Sequence, residues 1–254
     1  MRFLHCADLH IGCFSDVTEG INSLTLLAEA ALAGKAQAFL VAGDLFDKTA
    51  PYPFAAQCAI KPLSCLMEHG VQVYAVEGNH DCEPDGAFRS LGYLEERGIV
   101  RVLRPIWDAS GRPILKDCIA QCHGVRIAGL GFLGDQTAQR LRMFVDALPE
   151  YAGATVCLLH TGVYEEEHVP PGGITKEEGH VPPGGVTKKD IARCTKKIQY
   201  IALGHRHGRE EHGIAYNPGS PSGVRLNDMD ADYGYYLADI GAGSSDIAFF
   251  FTRN

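Results

Sequence analysis

The chain has no uninterrupted apolar stretch of about 18 residues, so nothing in it reads as a membrane-spanning helix. Its opening, MRFLHCADLH, lacks the basic segment, apolar stretch and cleavage site of an export signal and runs straight into a buried-strand pattern. Positive charge is scarce: 23 Lys and Arg stand against 31 Asp and Glu, a net charge of −8, so the surface as a whole does not attract a polyanion. A nucleic acid would have to be held by local charge. Paired cysteine motifs are missing as well. The nine cysteines are odd in number, contain no CxxC and sit mostly in apolar runs, which points to reduced thiols in a cytoplasmic compartment. Cys118 and Cys122, with His123 beside them, have no second ligand pair at zinc-finger spacing.

The chain does have enough apolar residues, 46% of 254, to bury the core of one continuous domain spanning 1–254. Short apolar runs at 3–7, 39–43, 71–78, 154–160 and 198–204 read as strands buried on both faces, and Leu24 to Leu32, Pro53 to His69 and Gln136 to Leu148 read as helices between them. Gly70 marks a helix stop. The stretch 99–132 is broken by Gly111, Pro113 and Gly124 into hairpin-like pieces, and short strands return after Gly208. This pattern predicts an α/β fold of two facing sheets with helices outside. Within 163–188, EEEHVPPGGITK (165–176) is followed by EEGHVPPGGVTK (177–188), identical at ten of twelve positions. Two copies are too few for a stacked solenoid, and the PPGG blocks mark a duplicated loop insertion beside His160. Only one copy can occupy the original position; the other is expected to bulge outward and be mobile.

The apolar runs end alike. They lead into Asp8 and His10, Asp44, Asn79-His80-Asp81, His160, and His205 and His207. Side chains two apart on a strand share a face, so Asp8 with His10, and His205 with His207, can each address one ion. Any one of these residues alone is a turn former or a core histidine; five strand ends carrying oxygen or imidazole donors together make a binuclear metal site. Two carboxylates, an amide oxygen and four imidazoles favour manganese, with iron or zinc as alternatives, over magnesium. Asp44 is the natural bridge, since paired metals lie about 3.5–4 Å apart and a carboxylate has two oxygens. Two divalent ions, two carboxylates and a bridging hydroxide leave a net positive charge suited to a phosphate oxygen. His80 is the candidate for leaving-group protonation, with Asp81 orienting it. Arg206, between two ligands, and Arg225 are candidate phosphate contacts. The run from Lys188 to Lys197 reads as a solvated helix face before it reads as a nucleic-acid track.

In this order the residues resemble the calcineurin-like metallophosphoesterase superfamily, whose blocks DxH, GDxxD, GNHD, H and GHxH stand here at Asp8-Leu9-His10, Gly43 to Asp47, Gly78 to Asp81, His160 and Gly204 to His207. The resemblance implies a four-layer α-β-β-α sandwich of two facing mixed sheets. It also implies Asp8, His10, Asp44 and His207 on one ion, Asp44, Asn79, His160 and His205 on the other, and His80 as the catalytic histidine. FLHCADLHIG, GDLFDKTAPYP and NPGSPSGVRLND are similar to the SbcD/Mre-type DNA repair exonucleases, which carry a capping domain and a segment that docks an SMC-like ATPase. The expectation is a catalytic domain without those parts, with Asp47 where some relatives carry a second histidine. The expected activity is that of a binuclear metal-dependent phosphodiesterase on nucleic acid or nucleotides. A small-molecule phosphodiesterase or phosphatase and a non-catalytic scaffold are the alternatives.

Overall fold

A computed structural model describes residues 1–12, 17–47, 53–81, 91–165, 184–222, 232–241 and 243–252. In chain order the first half holds β1 (Arg2–Cys6), α1 (Thr18–Ala33), β2 (Ala38–Val41), α2 (Pro53–Glu68), β3 (Gln72–Ala75), α3 (Gly92–Glu95) and β4 (Arg101–Val102). Two hairpins follow in the stretch where the glycines and Pro113 predict them: β5 (Ile106–Trp107) with β6 (Pro113–Ile114), and β7 (Ile119–Cys122) with β8 (Val125–Leu130). The second half continues with α4 (Thr137–Ala147), β9 (Thr155–His160), β10 (Val163–Tyr164), β11 (Val186–Thr187), α5 (Lys188–Cys194) and β12 (Tyr200–Gly204). It closes with β13 (Glu210–His212), β14 (Ala215–Asn217), β15 (Gly234–Gly241) and β16 (Ser244–Phe251).

Two mixed six-stranded sheets result, ordered β16-β15-β1-β2-β3-β4 and β13-β14-β12-β9-β8-β7. Strands β1 to β4, ending at the β4 edge, and likewise β8, β9, β12 and β14, run parallel, and the antiparallel pairs lie at the other edge of the first sheet and at both edges of the second. Strand alternation divides the apolar side chains among three layers. On β2, Phe39 and Val41 face α1 and α2, where they meet Leu27 and Leu63; Ala38 and Leu40 face the second sheet. On β9, Val156 and Leu158 face the first sheet, and Cys157 and Leu159 face Phe144 of α4 and Ile191 of α5. Helix, sheet, sheet, helix is therefore the layer order that the apolar pattern implies. Each fully buried large side chain contributes about 1.5–3 kcal/mol through removal from water.

Register then sets where chemistry can occur. Cys6, Val41 and Ala75 lie side by side across β1, β2 and β3, and His160 is opposite Gly204 across β9 and β12. The loops that follow leave both sheets at one level and at the same end. In the duplicated stretch, the tail of the second copy is built into the fold. Val186 is fully buried and its N–H donates to Gly162 O at 3.0 Å. Thr187 caps α5 in a reciprocal capping box with Asp190. Residues 166–183, which hold most of both copies and the expected outward bulge, lie outside the described residues, as does Arg225. Among the described residues no helix is long and apolar enough to cross a membrane.

His5 shows how the inter-sheet layer treats a polar group. It is fully buried, with Nδ1 accepting from Tyr200 Oη–H at 2.9 Å and Nε2–H donating to Leu203 O at 3.0 Å. Both ring nitrogens are satisfied in the neutral form. Burial pushes its pKa down to about 3 against the opposing effect of the Leu203 carbonyl. Between the ordinary value of 6.5 and about 3 the unfolded chain binds a proton that the folded chain does not, so stability falls as pH falls through this window. Relative to His5→Gln, the wild type should lose about 1.4 kcal/mol of unfolding free energy per pH unit between pH 6 and pH 4. Denaturant titration of both proteins across that range checks this, and a pH-independent difference would contradict the neutral buried ring.

Candidate metal centre

Four of the strand-end residues adopt the left-handed backbone region, Asp8 (φ 55), His10 (φ 44), Asp44 (φ 51) and His205 (φ 92). Each such non-glycine residue costs roughly 1–2 kcal/mol, and clusters of them mark functional loops. The loops are bound to one another by main chain: Asp8 N–H donates to Gly43 O at 3.1 Å, His10 N–H to Asp44 O at 3.0 Å, and Ile11 N–H to Leu45 O at 3.0 Å. Backbone also approaches side chain with no room to spare. A Cβ on Gly78 would fall inside the Asp44 carboxylate, and one on Gly43 would fall on the His160 ring. The glycine before each of Asp44 and Asn79 is thus required by the neighbour it lets in.

The side chains converge. Asp44 Oδ2 lies 3.6 Å from His10 Nε2 and 3.4 Å from His160 Nε2, while Oδ1 accepts the His80 main-chain N–H at 2.8 Å. Asp8 is fully buried and accepts the His205 N–H at 2.9 and 3.1 Å. Asn79 Oδ1 lies 3.1 Å from His160 Nε2 and 2.9 Å from His205 Nδ1. His207 stacks edge-on against His10, with ring centroids 5.1 Å apart. Donor atoms fall into groups that fit within 4.8 Å: Asp8, His10 and His207; Asp8, Asp44 and His160; and His10, Asp44 and His80.

A cation fits this set on chemical grounds. Both ring nitrogens of His10 are buried without a hydrogen-bond partner, although carboxylate oxygens of Asp47, Asp44 and Asp8 stand 3.3, 3.6 and 3.9 Å away. An imidazole so placed loses water without gaining a bond unless something binds its lone pair. His160 makes the same point. Its Nδ1–H donates to Ala42 O at 2.7 Å, which leaves Nε2 with a lone pair aimed at Asn79 Oδ1 and Asp44. Burial works to lower its pKa, but the charge and hydrogen bond of Asp44, with Asp8 behind, overcome this and raise it; burial also opposes the ionised Asp44, whose pKa is nonetheless held low by His160 and His10. A proton on Nε2 and a metal ion at Nε2 answer the same need, so they compete for that atom. The described residues can hold two divalent ions.

Asp81 and Asp47 stand differently towards His80. Asp81, expected to orient His80, is fully buried and accepts the main-chain N–H groups of Gly78 at 3.0 Å and Phe46 at 3.4 Å, so its visible part is to shape the turn that carries His80. The His80 ring is instead met by Asp47: Nδ1–H donates to the Asp47 carbonyl at 2.6 Å, and the Asp47 carboxylate is 3.5 Å away. Sequence reasoning also passes over Asn217 and Ser220. Asn217 Nδ2 donates to Arg206 O and Gly208 O at 2.6 and 3.0 Å, and Ser220 Oγ donates to Asp8 O at 2.8 Å. They hold the His205 to His207 loop and the Asp8 loop, and the NPGS string is their only signal. Phe132, from a segment resembling a simple strand end, stacks on His205.

Carboxylate, amide and imidazole donors gathered where two facing sheets end define a metal-dependent hydrolase on a four-layer α/β sandwich. The chain belongs to the calcineurin-like phosphoesterase family, whose profile matches residues 1–209, and it is a metal-dependent phosphoesterase. It is 30% identical over 251 residues to a DNA double-strand break repair protein Mre11 of Methanopyrus kandleri, covering 92% of this chain and 51% of that protein. With a nuclease SbcCD component from Rhodobacter capsulatus it shares 28% identity over 299 residues, covering 96% and 68% of the two chains. The chain thus spans about half the length of the Mre11 relative. A dimetal phosphatase from Danio rerio has the same fold, with 12% identity and a TM-score of 0.56 over 99% of this chain and 96% of that one.

Gly78→Ala should push the Asp44 carboxylate out of place, weakening divalent-metal binding by about tenfold or more and costing about 1–3 kcal/mol of stability. Metal content after dialysis, read beside thermal unfolding, checks both. A variant with wild-type metal affinity would show that the contact between Gly78 and Asp44 does not govern the centre.

Proposed function

We propose that the chain is a binuclear metal-dependent phosphodiesterase that cleaves nucleic acid, and the observation that carries this reading is the single Asp44 carboxylate standing between the imidazoles of His10 and His160. In it Asp8, His10, Asp44 and His207 hold one ion, and Asp44, Asn79, His160 and His205 hold the other; manganese suits the mixed oxygen and nitrogen donors. Bound there, two divalent ions would supply Lewis-acid polarisation of the phosphoryl group and activation of water near neutral pH.

The chain's own groups supply position and protons. Donation from His80 Nδ1–H to the Asp47 carbonyl fixes the tautomer and leaves Nε2 to exchange a proton with the leaving oxygen. His80 suits that role by exposure: its side chain is 30% accessible, against 1% for His10. Asp47 is the residue that orients it, and Asp81 holds the turn beneath. Arg206 is exposed and ion-paired to Glu210 at 3.0 Å, a pair weak enough in water to be exchanged for a substrate phosphate. Arg225 is proposed as a second phosphate contact. Nucleic acid as substrate is supported by the names of the relatives, and an SMC-like ATPase is the partner that the SbcD-type resemblance implies. Seven described cysteines are free thiols, in keeping with a cytoplasmic setting. The net charge of −8 favours a second reading, a small phosphodiester as substrate.

Turnover of a nitrophenyl phosphodiester, a nitrophenyl phosphomonoester and labelled single-stranded DNA with Mn²⁺ separates the readings. Diester and DNA cleavage is expected; preference for the monoester with no DNA cleavage would sink the nuclease assignment. His80→Ala should lower kcat by about 10²–10⁴-fold with both ions still bound, and unchanged turnover would remove His80 from the mechanism.

A further inference from the structure

The two imidazoles on the Asn79 side of the centre are held in different ways. His160 is fixed by a conventional polar partner, the Ala42 carbonyl, which accepts from Nδ1 at 2.7 Å. Ring orientation by such a contact is the usual device for a metal-binding histidine. For His205 the ring hydrogen bond is to Asn79, itself one of the converging donors, and the main-chain N–H is taken up by Asp8. What meets the face of the His205 ring is Phe132, with centroids 5.8 Å apart and planes inclined by 24°. The same phenyl ring stands edge-on to His160 at 6.3 Å and 80°. One aromatic ring therefore touches both imidazoles, whose own centroids are 5.3 Å apart.

Phe132 is itself tightly placed. Its main-chain N–H donates to Glu77 O at 2.8 Å, which ties it to the segment that leads into Asn79. Gly131 before it lies so close to Glu77 that a Cβ there would stand 2.7 Å from the Glu77 carbonyl oxygen. On the other side, Gly184 of the second repeat copy packs against the phenyl ring so closely that a Cβ at Gly184 would collide with it, and Thr161 Oγ1–H donates to the Gly184 carbonyl. The ring is clamped between a glycine and an imidazole.

We propose that Phe132 is a positioning residue for the metal centre, fixing the plane of His205 by stacking where His160 is fixed by a hydrogen bond. The inference rests on the reading of His205 as a ligand. A stacked pair resists tilting of the imidazole but does not compete for the in-plane lone pair of its unprotonated nitrogen, which stays available to a cation. Stacking of this kind biases the ring towards one orientation before an ion arrives.

The test uses the full chain and metal alone. Mn²⁺ is titrated calorimetrically and Co²⁺ by its visible spectrum into wild type, Phe132→Leu, Phe132→Tyr and His205→Ala, with thermal unfolding of each metal-free protein alongside. Two ions per chain are expected in the wild type and one in His205→Ala. Phe132→Leu, which keeps an apolar side chain but removes the flat ring, should weaken one of the two ions by about tenfold or more and alter the Co²⁺ spectrum. Phe132→Tyr should restore both. Wild-type affinity and spectrum in Phe132→Leu would overturn the proposal while leaving His205 a ligand. Two tightly held ions in His205→Ala would overturn the ligand assignment and this inference with it. Should Phe132→Leu be less stable without metal, failure of Phe132→Tyr to restore the weakened ion would count against the stacking role.

Discussion

Asp44 is the group on which the two halves of the molecule close. It follows β2 in the first sheet, yet one carboxylate oxygen faces His160 from the second sheet and His10 from the β1 loop, and the other accepts the His80 N–H from the β3 loop. A charge buried this deeply survives only when its neighbours answer it. The imidazoles, the main-chain donor and the cations they invite provide that answer, so sheet packing and chemistry rest on the same side chain.

The surrounding backbone bears the strain of that convergence. Asp8, His10, Asp44 and His205 all have positive φ, at a combined cost of several kcal/mol. The three apolar layers offset it: the strands that carry these loops are buried on both faces and end in register, so the loops cannot relax by sliding. Rigid strands holding unfavourable loop conformations keep donor atoms in place when no ion is bound, which is what preorganisation requires.

Much of this is legible in the sequence because the same physics writes both. An apolar run that ends in Asp, Asn or His announces a buried strand and the donor at its tip, and the alternating spacing of Asp8 with His10 announces their shared face. Asp81 is harder. Adjacency to His80 suggests contact, whereas the turn buries Asp81 beneath the loop and brings in Asp47, whose relation to His80 arises only when β2 and β3 lie side by side. Phe132 and Ser220 belong to the same category. Nothing in the local string LGF distinguishes a ring that will lie on a histidine from one that will fill a core, since the difference is made by elements far away in the chain. His5 lies inside an apolar run, and the two bonds that satisfy its ring belong to β12, almost two hundred residues on.

The repeated segment has an implication for how this chain can change length. The anchor nearest α5, with Val186 buried, Thr187 capping the helix and Lys188 ion-paired to Glu165, brings the two ends of the connection together. Once its ends are neighbours, a connection closes at almost any length; doubling or tripling it costs about 1 kcal/mol or less in chain entropy. Because each copy ends in the same kind of anchor, a β-branched apolar residue followed by Thr and Lys, either copy presents the core with an equivalent segment in the same phase. Length at this point is therefore a nearly free variable for evolution, adjoining a centre where the displacement of a single methyl group would matter.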